Sequence, residues 1–391
     1  MIDPRIKRPV ARHPSVTFAT PAILAAAALL FLWLLVTRQG GDIGRLPCAG
    51  EAFVDATKSP ACLAVAKDSA GYDGQFYYRL AIAPFDTSER VAGVRFDYAV
   101  YRSQRILYPL VAHVLSAGDP CRVLWILPLI NIISITALGW CAAILVGRTG
   151  VHPLWGIVAA IWPGFLFSLA RNLTEPMECA FLVGGFAALS TRSYRWATLW
   201  FCCAALTRET AIIAAVVILF YGVVISLRDR KLSPLIGVGV LPPVVYMLFK
   251  LSLFELWSLP INLGVKSVVS VPFAGFVGLL RDSIRADSRL GGVQTAELIM
   301  LALLAIVALL CLRSSAADIM IKLSCVTYVL FAAAWTRDIW TEDWAFLRAS
   351  AECGVLCGIV IATARPVLRR LGATLLTAGT LGLAYEILKY R

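Results

Sequence analysis

The chain has 391 residues, 59% of them hydrophobic and only 15% charged. Soluble domains carry about a quarter charged residues, so this composition excludes an ordinary soluble protein and points to a polytopic membrane protein. The net charge of +12 does not mark nucleic-acid binding, because Lys and Arg cluster between apolar runs, as the positive-inside rule requires, and no basic tract stands apart from them.

Residues 1–14 hold Arg5, Lys7, Arg8 and Arg12, and an apolar run follows from 18 to 36. The run is long for a signal peptide and ends in Thr37-Arg38-Gln39 rather than a small-residue cleavage site. It reads as an uncleaved anchor with its N-terminus in the cytoplasm. A spanning helix needs about 20 apolar residues. On that measure the chain carries spans near 18–36, 121–146, 152–170, 175–190, 194–206, 210–227, 233–257, 295–312, 319–335, 345–364 and 371–387. The expected fold is all-α: a single integral-membrane domain over 1–391 with about 11 transmembrane helices. Alternation places short turns rich in Arg and Lys (147–151, 191–195, 228–231, 313–318, 365–370) on the cytoplasmic side. The opposite face then receives 37–120, 171–174, 207–209, 258–294 and 336–344, and with them Asp73, Glu175, Arg208, Glu209, Asp338, Glu342 and Asp343. Acids and bases from distant hairpins converge on one side, which suggests one extracytoplasmic site.

Within the long loop 37–120, segments 75–83 and 103–117 mix aromatic and aliphatic residues, with Arg79, Arg102 and Arg105 at their edges. They read as interfacial helices with cations toward headgroups, and 271–281 reads likewise. Most of the 11 cysteines fall inside apolar runs, where Cys is a small hydrophobe. Three His, at 13, 113 and 152, give no Cys/His metal spacing. Cys48 and Cys62 share the first polar loop. If that loop is extracytoplasmic they could pair, or they could stay as two thiols.

Four stretches could carry chemistry. G-Y-D-G-Q-F-Y-Y-R-L at 71–80 wraps Asp73 in Tyr72, Gln75, Tyr77 and Tyr78, a composition suited to stacking on and hydrogen-bonding a sugar. Asp73 is the candidate general base for an acceptor hydroxyl; the bland alternative is a turn residue, since Y-D-G is good turn chemistry. In R-N-L-T-E-P at 171–176, Thr174 would cap the helix that Pro176 begins, yet Glu175 is wedged between apolar runs where an unpaired charge is costly. L-T-R-E-T at 206–210 places Arg208 beyond a short span, recessed enough to clamp a phosphate, with Glu209 beside it. Arg348 lies four residues inside its helix, about one turn from Asp343. Lys250 and Glu352 are further charges inside spans. No GxGxxG, P-loop, HExxH or GxSxG context is present, which argues against a nucleotide-driven pump or a zinc protease.

Y-D-G-Q-F-Y-Y-R-L-A at 72–81, followed by Y-R-S-Q-R-I-L-Y-P-L at 101–110, resembles bacterial multispanning glycosyltransferases of the GT-C class, distantly similar to the GPI mannosyltransferases. The resemblance runs over roughly 18–364. It implies an inverting transferase of the inner (plasma) membrane. Its donor would be a polyprenyl-phosphate sugar and its acceptor a cell-envelope glycan or glycolipid, with the acid of the first outer loop as base. That role falls on Asp73, with Arg208, Arg348 and Arg105 on the donor phosphate, and Tyr72, Gln75, Tyr78, Glu175, Glu209 and Asp343 around the substrates. Many members carry paired acids in this loop, whereas Asp73 has Gly71 and Gln75 two positions away on either side, so no metal or other cofactor is assigned. A transporter or flippase of a lipid-linked or anionic solute is the alternative from another class. A polysaccharide polymerase or ligase is a third reading.

Overall fold

The computed structural model describes residues 14–261, 269–285, 289–341 and 345–390. The chain enters through α1 (Pro14–Arg38), and the first loop then folds as three helices, α2 (Gly74–Ile82), α3 (Ala99–Ser103) and α4 (Leu107–Ser116). The central helix α5 (Pro120–Arg148) follows, started by Asp119, whose carboxylate accepts from the amides of Cys121 and Arg122 at 3.1 and 2.8 Å, and by Pro120 in the first turn. It packs against α1 and α4. A broken segment comes next, α6 (Ile157–Ala160) and α7 (Pro163–Arg171), then α8 (Glu175–Ser190), which also packs on α5, and α9 (Tyr194–Thr207). The remaining helices are α10 (Ile212–Asp229), α11 (Leu235–Leu256), α12 (Ala274–Arg285), α13 (Arg289–Cys311), α14 (Ile319–Ala333), α15 (Arg337–Thr341), α16 (Ala345–Ala349), α17 (Ala351–Ala362) and α18 (Pro366–Tyr390).

Among the described residues, α1, α5, α10, α11, α13 and α18 are long and apolar enough to cross a bilayer; α6 and α7, bent by 59°, would make a seventh span. The protein is therefore a multi-pass membrane protein by helix length and hydropathy. Large apolar side chains such as Trp33, Phe220, Leu227 and Leu310 stand outward, as lipid-facing positions do. The count of about eleven is not reached on this measure. Every expected segment is helical, but α8, α9, α14 and α17 have 16, 14, 15 and 12 residues. Sixteen residues rise only about 24 Å, short of a core of about 30 Å.

The breaks are chemically covered. At the α6–α7 bend the freed Ile161 carbonyl accepts the Thr380 hydroxyl, and the Trp162 indole donates to the Leu347 carbonyl at 2.7 Å, close to where α16 gives way to α17. Gly164 lets the backbones meet there, since a Cβ would collide with the Leu347 carbonyl. Irregular backbone at membrane depth is tolerated only when protein satisfies it in this way, and the α7–α16 contact fixes the position of Arg348.

The first loop departs from expectation in three respects. Its helices exist, but their cations point inward: Arg79 is 1% exposed and donates to the carbonyls of Ser88, Glu89 and Val94 at 2.5, 2.9 and 2.8 Å. Its guanidinium also lies 4.0 Å over the Phe96 ring, and burial pulls its pKa down to about 10. The reason is the backbone of 83–95, whose strand-type pairing is limited to isolated bridges at Val91–Val94 and Val54–Val94 and which has carbonyls left to satisfy. The disulfide is Cys62–Cys121, with Cα atoms 5.8 Å apart, and Cys48 is not part of it. This bond ties the loop to the first turn of α5, a link invisible when Cys121 is read as part of a span. A short parallel ribbon, Ala49–Gly50 with Val65–Ala66, adds strand structure to an otherwise helical chain.

Candidate functional site

The turn before α2 sets the geometry. Gly71 has φ +68°, and the Tyr72 amide donates to the Cys48 carbonyl at 2.8 Å. Gly74 allows the start of α2 to press on the end of α7: a Cβ there would collide with the Arg171 carbonyl and stand 2.8 Å from that of Pro47. Asp73 thus occupies the N-cap of α2, but its carboxylate makes no cap hydrogen bond. It is spent on two arginines instead. Oδ1 accepts from Arg102 Nη1 at 2.7 Å and Oδ2 from Arg348 Nη1 at 2.6 Å. Residues 275 positions apart in sequence meet in the second pair. Burial alone would raise the Asp73 pKa, but Arg348, Arg102 and then Arg105 outweigh it and hold the carboxyl well below the usual carboxylate range.

Each arginine is anchored on its other side. Arg102 also grips Asp97 with Nε and Nη2, at 2.8 and 2.6 Å, and lies 4.4 Å over the Phe76 ring. Arg105 holds Glu209 bidentately at 2.6 and 2.9 Å and reaches the hydroxyls of Tyr101 and Tyr77 at 3.2 and 3.4 Å. Arg208 donates to the Arg348 carbonyl at 3.1 Å and stands 3.5 Å from Glu175 and 3.9 Å from Glu352. Glu175 accepts the Ser168 hydroxyl at 2.9 Å and lies 3.9 Å from Arg348. Glu352 accepts the Thr210 hydroxyl, and the Thr210 carbonyl accepts Tyr328 at 2.8 Å. The result is one continuous network linking the loop helices to α8, α16, α17 and the α9–α10 junction.

Asp73, Glu175, Arg208, Glu209, Arg105 and Arg348, expected from the sequence to converge, do lie in this network, and Tyr72 borders it with its ring 5.0 Å from the Arg348 guanidinium. Three candidates do not join: Asp338 is exposed in the first turn of α15 and forms none of the pairs above, and the other two are Gln75 and Tyr78. Gln75 is committed to the loop backbone, accepting from the Gly50 amide at 3.0 Å and donating to the Ala70 carbonyl at 2.9 Å. Tyr78 is fully buried and the carboxylate it senses is Asp119, at the start of α5. Asp343 and Glu342 lie outside the described residues. Thr174 sits at the N-cap of α8 but its side chain makes no cap bond. Lys250 lies 5.9 Å over the Tyr246 ring, away from the pairs above.

Three residues were missed. Arg102, the second partner of Asp73, stands in the quoted Y-R-S-Q-R block, and its proximity to Asp73 could have been suspected from that motif. Asp97 carried no signal beyond its charge. Glu178 shares the first turn of α8 with Glu175; it is 0% exposed and accepts the Cys179 thiol at 3.2 Å. Among the described residues no group of His, Cys, Asp and Glu is arranged to hold a metal ion. Compared with protein-family models, curated proteins and solved structures, the chain matches none.

Proposed function

We propose that the protein is an inverting membrane glycosyltransferase of GT-C type that moves a sugar from a polyprenyl-phosphate donor to a glycan or glycolipid at the extracytoplasmic face. The observation that carries this reading is Asp73, recessed at 8% exposure and held between Arg102 and Arg348, where a loop rich in aromatics meets an apolar helix bundle. In the reaction the acceptor hydroxyl gives its proton to the Asp73 carboxylate as its oxygen attacks the anomeric carbon. The bond from that carbon to the phosphate oxygen breaks, and its electron pair leaves with the polyprenyl phosphate. A phosphate leaves as a stable anion, so one carboxylate base and nearby guanidinium groups suffice, whereas glycoside hydrolysis pairs two carboxylates. The same reading takes about eleven bilayer crossings, with α8 and α17 sheltered among the other helices, the N-terminus in the cytoplasm, and the Cys62–Cys121 bond in an oxidising compartment.

A panel of polyprenyl-phosphate sugars and nucleotide sugars offered to the reconstituted protein tests it. Release of free lipid phosphate with a single polyprenyl-phosphate donor is the expected result, and consumption of nucleotide sugars alone would refute the donor class. One observation favours the transporter reading: Arg208 and Glu352, 3.9 Å apart, and Glu178 are acidic and basic side chains sealed among helices, as in ion-coupled carriers. Solute flux into proteoliposomes without sugar transfer would establish that reading instead.

A further inference from the structure

Each arginine of the network already faces a carboxylate: Arg102 faces Asp73 and Asp97, Arg105 faces Glu209, Arg208 faces Glu175 and Glu352, and Arg348 faces Asp73 and Glu175. A phosphate anion entering here finds no spare cation among these four. It must take one from a carboxylate. Asp73 is the carboxylate whose two oxygens are each bonded to a different arginine, and both pairs lie at the edge of the bundle, with side chains 10–14% exposed. A carboxylate gripped in that way is also a poor proton acceptor. Resting on the reading of this site as a donor-phosphate site, we propose that Asp73 and the donor phosphodiester compete for Arg102 and Arg348, so that donor binding itself frees the carboxylate to accept a proton. The device keeps the base inactive until the donor is seated.

Among the described residues, charged and titratable groups near Asp73 come from several elements. Tyr72 precedes it and Tyr77 lies one turn on in α2; Arg102 comes from α3 and Arg105 from the segment after it; Arg171 ends α7, Glu175 begins α8, and Arg348 lies in α16. When the two arginines turn to an anion, the freed carboxylate is left buried beside a negative charge, which raises its proton affinity toward that of a base poised near neutral pH.

The test uses the full chain in nanodiscs and methyl farnesyl phosphate, a phosphodiester whose charge stays at −1 through the range and which carries no sugar. Calorimetry at pH 6.5 in two buffers of different ionisation enthalpy reads the protons taken up. The expected result for the unaltered protein is about 0.5 proton per anion bound at pH 6.5, by linkage, falling toward zero by pH 8, where the freed carboxylate stays ionised and able to take the acceptor's proton. For Asp73→Asn the uptake vanishes, and the anion binds about tenfold more tightly because the competing charge is gone. No proton uptake by the unaltered protein overturns the proposal whether or not the variant folds. So does weaker binding by a folded Asp73→Asn, which would make Asp73 a support for its arginines, and so does failure of the probe to bind at millimolar concentration. Because the probe cannot donate a sugar, failure of the transferase reading shows separately in the donor panel.

Discussion

Two halves of one ionic network differ in how they are built. Around Asp73 the contacts are short, 2.6–2.7 Å, both carboxylate oxygens are bonded, and the side chains keep 10–14% exposure. Around Glu178 and Glu352 the nearest arginine contact is 3.9 Å, exposure is 0–1%, and one carboxylate oxygen of each residue has no hydrogen-bond partner. In the first half the carboxylate is fully bonded and reachable; in the second the carboxylates are sealed and half-bonded. A reacting group must be reachable, and charge-assisted bonds at such short range are the strong ones. Buried pairs with long contacts add little to stability and can be replaced at small cost. The comparison assigns chemistry to the Asp73 half and framing to the Glu178 half.

Substitutions can break or sharpen this division. Asp73→Asn should lower transfer by about 10³-fold, within the range that positioned general bases contribute, while donor still binds. Loss of the charge should also cost stability, because Arg102 and Arg348 are left facing Glu175 and Asp97 alone. Since the folded Asp73 carboxyl is held below its ordinary value, its stabilisation is complete above the unfolded pKa of about 4 and is lost as the pH falls through the folded value. The melting difference between the two proteins should therefore be constant from pH 5 to 8 and shrink only below that window.

Arg348→Ala should raise the donor KM about 30-fold, a loss of about 2 kcal/mol in a charge-assisted contact, with kcat changed less. An unchanged donor KM would remove Arg348 from the donor phosphate. Gly74→Ala should cost about 1–3 kcal/mol of stability, since its new Cβ collides with the Arg171 carbonyl; wild-type melting would mean that the Asp73 turn is not pressed on α7. Cys62→Ser should cost about 2–4 kcal/mol, visible as a lower Tm that reductant reproduces in the unaltered protein. Glu178→Gln should change transfer by less than about threefold. A loss of a hundredfold or more with the fold intact would reverse the assignment of the two halves.

The legible part of this molecule was its charge order. Glu175 and Arg208 stand out because a charge between apolar runs needs a partner, and the hairpins that bear them do meet. Arg348 could be singled out by its depth in a helix, but not its bond to Asp73, which depends on the α7–α16 approach at Gly164. Gln75 looked like a sugar ligand because composition cannot tell an amide facing a site from one facing its own loop. Arg79 misled for a related reason: a cation beside aromatics suggests a headgroup anchor, yet the irregular backbone of 83–95 captures it. Apolar run length and loop composition found most of the helices, including some too short to span alone, whereas α3, α15 and partners fixed by long-range packing leave no such trace.

The most direct check is to follow free polyprenyl phosphate and transported sugar together in vesicles containing either the unaltered protein or Asp73→Asn. The account requires lipid phosphate to be released by the first protein and to fall by about 10³-fold in the second, with a glycosylated acceptor as the other product. Equal release from both proteins, or sugar crossing the bilayer still attached to its lipid, would contradict a reactive centre at Asp73.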